Sequence, residues 1–342
     1  MRARAAHRME TAMTIPARFD AFRIHNDEAG YRSGIEPLSL DDLSQGEIVV
    51  KVVHSSVNYK DALAGTGRGK ILRRFPLVGG IDLAGHVVAS TDSRFREGDA
   101  VLVTGCGLSE TRDGGYAGYA RIEAKWAIPL PAGLTLRESM ILGTAGFTAA
   151  LALLRMTENR QTPELGPLAV TGATGGVGSL AVDIFSSAGY EVHAISGKPE
   201  HADYLRSLGA KEVLGREVLS TTRPMESARF GGGLDNVGGT MLASLLAQTA
   251  PYGNVASAGL ASSPELHATV MPFIIRGVSL LGVASAGTAR DIREEVWRRL
   301  ASDWKPRHLD RICTREVNLH QLPEVFERML AGGSLGRTLV TV

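Results

Sequence analysis

Residues 47–57, EIVVKVVHSSV, follow a Gln-Gly pair and form a run rich in β-branched side chains, which reads as a strand. GDAVLVTG (98–105) is a second such run, and glycine-rich turns such as GTGRGK (65–70) and DGGYAGYA (113–120) separate the segments of this first third. The pattern predicts an irregular β-rich domain. The rhythm changes after residue 166. PLAVTG (167–172) is a short buried strand, followed by a glycine turn and the helix VGSLAVDIFSSAG (177–189). Strand EVHAIS (191–196), helix PEHADYLRSLG (199–209) and strand KEVLG (211–215) come next. Further on lie strand GLDNVG (233–238), helix TMLASLLAQTA (240–250), and strands GNVASAG (253–259) and VSLLGV (278–283). Strands alternating with helices predict an α/β fold with a parallel, doubly wound sheet. The tail adds the helix DIREEVWRRLASDW (291–304), the helix LPEVFERMLAGG (322–333) with a glycine C-cap, and the strand RTLVTV (337–342). There is no fixed-period repeat and no low-complexity segment.

Length and composition narrow the picture. A chain of 342 residues, 44% hydrophobic, suggests two domains with a substantial core. The net charge of +1 argues against a dedicated nucleic-acid binder. Two cysteines, Cys106 and Cys313, exclude a disulfide scaffold and a four-cysteine zinc site. The longest apolar candidate, MILGTAGFTAALALL (140–154), is interrupted by Gly143, Thr144, Gly146 and Thr148, which argues against a membrane span. The N-terminal MRARAAHRMETAM is basic but lacks the apolar centre of a secretory signal. It reads as a disordered extension or an upstream start, with a mitochondrial-type presequence as the alternative. A cytoplasmic location is the default expectation.

The strongest local signal is LAVTGATGGVGSLAVDIF (168–185): strand, glycine turn and helix in immediate succession. Glycines 172, 175, 176 and 178 let the backbone approach a pyrophosphate, and the helix N-terminus offers free N–H groups. In such turns an acidic residue commonly follows about 20 positions later and accepts the ribose 2′-hydroxyl. Here the next strand ends in Ser196-Gly197-Lys198. A carboxylate would repel a 2′-phosphate, whereas Ser196 and the Gly197 N–H can donate to phosphate oxygens and Lys198 brings a positive charge. Arg216, after the following strand, is a second candidate cation. The chemistry favours NADPH over NADH.

The segments SSVNYKDALAGTGRGKILRRFPLVGGIDLAGHV, ILGTAGFTAALAL, TGATGGVG, VMPFIIRGVSLLGV and GRTLV resemble the medium-chain dehydrogenase/reductase superfamily. They are most similar to its zinc-independent branch of acryloyl-CoA reductases and quinone oxidoreductases. The resemblance runs from about residue 19 to the C-terminus. It implies a GroES-like β-rich catalytic domain over 19–140 and 290–342, a Rossmann NADPH-binding domain over 141–289, an extension over 1–18, and a homodimer. It also implies roles for single residues. Tyr59 approaches the nicotinamide with Asn58 beside it. Thr174, Gly175, Gly176 and Val177 hold the pyrophosphate. Ser196, Gly197, Lys198 and Arg216 hold the 2′-phosphate, and Leu260, Ile274 and Ser285 flank the nicotinamide half. Zinc enzymes of the superfamily carry a Gly-His-Glu motif and ligand cysteines. The equivalent stretch here, GGIDLAGHV, keeps Asp82 and His86 without an accompanying cysteine, so no metal is expected.

GRGKILRRFP places Arg68, Lys70, Arg73 and Arg74 within seven residues. It reads either as a solvated basic loop or as a landing strip for the phosphates of a CoA thioester. The sequence departs from the branch in three places: Cys106 for an expected Trp, ETRDGG without the usual His and Trp, and Ala284 for an expected Asp. The expected activity is NADPH-dependent reduction of an activated C=C bond in a small-molecule substrate. Hydride goes to the β-carbon of an enoyl thioester or enone, the enolate is stabilised at its oxygen, and Tyr59 positions or donates the proton. Quinone reduction, or non-enzymatic NADPH binding, is the alternative.

Overall fold

The computed structural model describes residues 15–342. The expected extension lies outside the described residues as far as position 14. Within the remainder, Ile15 already packs against a buried cluster around Phe19 and Phe22.

In chain order the elements are β1 (Phe19–Asp27), β2 (Gly30–Leu38), β3 (Ile48–Val57), α1 (Tyr59–Thr66), β4 (Leu77–Val78), β5 (Asp82–Ser90), β6 (Ala100–Thr104), β7 (Tyr119–Ile122) and β8 (Ile128–Pro129). There follow α2 (Leu136–Glu158), β9 (Leu168–Thr171), α3 (Gly176–Ser187), β10 (Val192–Ile195), α4 (Ala202–Ser207) and β11 (Glu212–Leu214). Next are β12 (Phe230–Asp235), α5 (Gly239–Ala247), β13 (Thr249–Ser257), α6 (Met271–Arg276) and β14 (Ser279–Gly282). The chain closes with α7 (Arg290–Leu300), α8 (Leu309–Ile312), β15 (Cys313–Val317), α9 (Leu322–Leu330) and β16 (Arg337–Thr341).

The predicted doubly wound sheet is present. Six strands run parallel in the order β11-β10-β9-β12-β13-β14. The order reverses between β9 and β12, and ligands bind at such a switch point outside the C-terminal strand ends. The strand expected at 233–238 sits earlier, at Phe230–Asp235, with the sequence FGGGLD. Its glycines answer to close packing in the sheet centre: a Cβ on Gly233 would stand 2.5 Å from the Ala169 carbonyl oxygen.

Strands of the first third join β15 and β16 in a seven-stranded sheet, β15-β16-β3-β5-β6-β8 with β7 on β3, beside a three-stranded sheet, β2-β1-β4. The last strand, β16, pairs antiparallel with β3, so the end of the chain closes the sheet in which the first third begins. This pairing brings Arg337 beside Val57 and Asn58. The apolar run at 140–154 lies in α2, a helix whose apolar window is 83% buried. The run is a core helix that packs on α3 and on the β3-β5 part of the seven-stranded sheet.

Candidate active site

β3 ends at Val57, and Asn58, extended at φ −119° and ψ 160°, starts α1. Asp61, three residues on, accepts the Asn58 backbone N–H at 2.8 Å and its side-chain amide at 3.1 Å, as in a capping box. The Asn58 amide is fixed from both ends: Nδ2 donates to Asp82 Oδ2 at 2.7 Å, and Oδ1 accepts from Arg337 Nη1 at 3.1 Å. Tyr59 is the first helical residue and is half-exposed beside this buried group.

Asp82 is fully buried and surrounded by donors. Ser56 Oγ reaches it at 2.6 Å, Thr144 Oγ1 at 2.6 Å, and the Thr144 N–H at 3.0 Å. Thr144 can donate because α2 is kinked at Gly143, where φ is 50° and ψ −156°. The kink exposes a fresh helix N-terminus within α2, and Asp82 caps it; a carboxylate is favoured there by the helix dipole. Arg337, also buried, donates to Ile141 O (2.9 Å), Val57 O (2.9 Å) and Ser56 Oγ (2.7 Å), and stands 4.0 Å from Asp82. The Asp61 and Asp82 carboxyl groups thus both bind the Asn58 amide, and the guanidinium stands beside Asp82. Burial, and then the nearby Asp82 charge, push the Asp61 carboxyl up from the ordinary 3.8 to about 7. Burial also lowers the Arg337 value and raises that of Tyr116, whose hydroxyl donates to Ser56 O at 3.0 Å.

The glycine turn lies against the same arginine. Gly175 precedes α3, and Gly178 has its Cα against the Gly172 carbonyl, where no side chain fits. A Cβ on Gly176 would stand 3.1 Å from Arg337 Cδ, and the Gly336 N–H donates to Thr174 O at 2.9 Å. Gly176 and Asn58 therefore both meet Arg337, and Thr174 binds its neighbour Gly336. Val177 is half-buried in α3. Beside the turn, Asp235 accepts Thr171 Oγ1 at 2.7 Å and the Gly238 N–H at 2.7 Å, and burial raises its value.

At the end of β10, Ser196 Oγ accepts the Lys198 N–H at 3.0 Å, and the Arg216 guanidinium lies across the bare Cα of Gly197. Lys198 points elsewhere. Its ammonium donates to Gly332 O at 2.6 Å and Ser334 O at 2.8 Å. Ser285 lies at the domain junction: its carbonyl accepts from the buried Arg293 at 3.0 Å, and Arg293 also bonds Thr104 O at 2.9 Å. Leu260 and Ile274 are exposed; Ile274 sits on α6, which Arg276 ties to Ala247 O and Thr249 O at the start of β13.

The four basic residues of the loop do not form one patch. Arg68 pairs with Glu327 of α9 at 2.8 Å, and Arg73 with Glu110 at 3.2 Å. Arg74 donates to Thr111 O at 2.8 Å and to Ser44 Oγ, while Lys70 is exposed. Lys60, next to Tyr59, shares Glu110 at 2.5 Å. Of the departures, Cys106 is buried with φ 53°, and burial raises its thiol value, which describes an inert thiol. Arg112 pairs with Glu123. Two cavities, of about 320 and 490 Å³, are lined by no residue of the Asn58–Arg337 group.

A metal does not fit beside Asp82. His86 faces Gly98 O at 3.2 Å, and every close partner of the Asp82 carboxylate is a donor, with the Arg337 cation behind them. Among the described residues no group of His, Cys, Asp and Glu is placed to hold a metal ion.

The fold and the site define a two-domain, dinucleotide-dependent oxidoreductase architecture. Residues 44–132 match the alcohol dehydrogenase GroES-like domain family and residues 176–302 the zinc-binding dehydrogenase family. YhfP of Bacillus subtilis, provisionally named a quinone oxidoreductase, is 44% identical over 94% of this chain and 98% of that protein. Its crystal structure with NAD bound superposes with a TM-score of 0.92 at 43% identity, covering 96% of this chain and 100% of that one. The acrylyl-CoA reductase AcuI of Ruegeria pomeroyi is 43% identical over 95% of this chain and 99% of that protein. The YhdH oxidoreductase of Salmonella enterica, crystallised with NADP, gives a TM-score of 0.91 at 42% identity, covering 94% and 99%. The chain belongs to the medium-chain dehydrogenase/reductase superfamily of oxidoreductases.

Proposed function

We propose that the protein is an NADPH-dependent reductase of activated C=C bonds, with a 2-enoyl-CoA of the acryloyl-CoA type as its substrate. The observation that carries this reading is the junction at Arg337, where one guanidinium borders the glycine turn at Gly176 and holds the Asn58 amide beside Tyr59. Bound NADPH supplies a hydride to the β-carbon of the double bond. Thr174, Gly175, Gly176 and Val177 hold its pyrophosphate, and Ser196, Gly197 and Arg216 accept its 2′-phosphate. Leu260 and Ser285 border the nicotinamide half, with Ile274 further out. Tyr59, half-exposed on a helix whose start is pinned by Asp61 and Asp82, positions or donates the proton for the α-carbon. Binding of a CoA thioester draws on Lys70 and on Arg73, Arg74 and Arg68 once these exchange their present partners for phosphate oxygens.

Quinone reduction is the second reading. It is favoured by the pairing of Arg68 and Arg73 with Glu327 and Glu110, which leaves less free charge for a CoA ester, and by the likeness to YhfP. The discriminating experiment follows NADPH oxidation with acryloyl-CoA, crotonyl-CoA and a naphthoquinone in parallel. Acryloyl-CoA is expected to give the highest kcat/KM. A naphthoquinone preferred over both thioesters overturns the thioester reading.

The assembly is a homodimer, supported by exposed Tyr252, Val270, Ile274 and Ile275 close to the open edge of β14. The two free cysteines support a reducing compartment such as the cytoplasm.

A further inference from the structure

Lys198 was expected to meet the 2′-phosphate, but its ammonium is aimed at the segment after α9. Two of its three protons go to carbonyl oxygens, Gly332 O and Ser334 O. Those carbonyls lie just beyond α9, whose end is closed by Gly332 N–H to Met329 O at 3.0 Å and Gly333 N–H to Arg328 O at 2.9 Å. A cation is favoured at such a helix end. The segment then runs along the dinucleotide site. Gly336, at φ 57°, donates to Thr174 O at 2.9 Å, in a place where a Cβ would stand 2.8 Å from Tyr204 Oη. Arg337 follows at once and holds the Asn58 amide at 3.1 Å. Residues 332–337 are therefore a strap attached at Lys198, at the pyrophosphate turn and at Asn58. Arg216 has no part in it: its guanidinium covers Gly197, and it makes no ion pair among the described residues.

We propose that Lys198 is a positioning residue whose ammonium ties the strap 332–337 to the adenosine end of the cofactor site, so that this end is coupled to the placement of Asn58 and Tyr59. The third ammonium proton remains for a phosphate oxygen. Arg216 reads the 2′-phosphate, whereas Lys198 sets the strap whichever cofactor is bound. The inference rests on the reading of the glycine turn as an NADPH site.

The test compares Lys198→Met with Arg216→Ala. Steady-state rates are measured with NADPH and with NADH, and cofactor affinity is measured separately by fluorescence titration. Backbone amide exchange at Gly336 is followed in the cofactor-free protein. Arg216→Ala is expected to weaken NADPH about tenfold or more, bringing it towards NADH, with the Gly336 exchange rate that of the parent. Lys198→Met is expected to lower kcat several-fold with both cofactors and to speed Gly336 exchange about tenfold. The proposal is overturned if Lys198→Met raises KM for NADPH alone, keeps kcat, and leaves Gly336 exchange at the parent rate. Should no thioester or quinone be turned over, the proposed function fails while Gly336 exchange still decides the strap. Slow exchange surviving in Lys198→Met would then sink it.

Discussion

Asn58 has its amide oxygen and nitrogen assigned by opposite charges, Arg337 on one side and Asp61 with Asp82 on the other. Reversing the amide would set donors against the guanidinium and an acceptor against two carboxyl groups, so the side chain has one orientation. Burial, and after it the Asp82 charge, push the Asp61 carboxyl up to about 7 from 3.8. A raised carboxyl value means that the folded protein binds more protons than the unfolded chain between those two values. Stability therefore falls as pH rises from about 4 to about 7, and the contribution is fully present only below the unfolded value. Asp61→Asn removes this slope while keeping an acceptor for the Ile81 N–H, which Asp61 now binds at 2.9 Å. Urea denaturation from pH 4 to 7 is expected to show the parent losing stability relative to the variant as pH rises. Parallel curves would mean that Asp61 titrates as an ordinary carboxyl group.

At the scale of the element, the kink in α2 does more than bend a helix. Gly143 adopts a conformation open to glycine alone, and a Cβ there would stand 2.6 Å from both Asp82 Oδ2 and Ser56 Oγ. Gly143→Ala is expected to cost about 3 kcal/mol or more, from backbone strain together with displacement of the buried carboxylate. The cost can be read from a urea titration at constant m-value. An equal loss in kcat/KM is expected, because Thr144 and Asp82 support Asn58. This kink also shows where sequence reading stops. Gly143 and Thr144 were legible only as interruptions of an apolar run. What they accomplish depends on Asp82, which β5 carries to that point. The glycine turn, by contrast, is a local pattern of strand, turn and helix within twenty residues, and it was read directly. The start of strand β12 at Phe230–Gly232 escaped because its glycines have low strand propensity and are required by neighbours in the sheet. The Asn58 group escaped for a longer-range reason: positions 58, 61, 82 and 337 meet only through the β16–β3 and β3–β5 pairings. Two traces were present, the N-x-x-D spacing of a capping box and a lone arginine opening the apolar strand RTLVTV. Lys198 was legible as a cation near the cofactor, but its partners are main-chain carbonyls 134 and 136 positions away, which no side-chain pattern records.

On the scale of the whole molecule, the parallel sheet ends at β14 with one edge open, and the exposed Ile274 and Ile275 lie on α6, which directly precedes that strand. Ile274 and Ile275 stand on α6, and the Tyr252 ring lies against Gly277 at the end of the same helix, 3.0 Å from where a Cβ would be. An open strand edge invites pairing, and a contiguous apolar patch of this kind marks an interaction surface in soluble proteins. The proposed homodimer would meet both needs: isologous pairing of two β14 edges would extend one sheet across the dimer and bury both patches. Each isoleucine fully buried contributes roughly 1.5–3 kcal/mol, and both copies contribute, so a single charge placed in the patch acts twice. Ile275→Asp is therefore expected to convert a dimer into a monomer at micromolar concentration by sedimentation equilibrium. Tyr252→Asn is the milder companion, since Tyr252 holds φ 62° and asparagine tolerates that conformation better. It removes the ring and relieves strain, so it is expected to weaken the dimer without lowering the urea midpoint of the isolated chain. A parent protein that sediments as a monomer across the micromolar range would overturn the dimer and leave the patch as exposed surface.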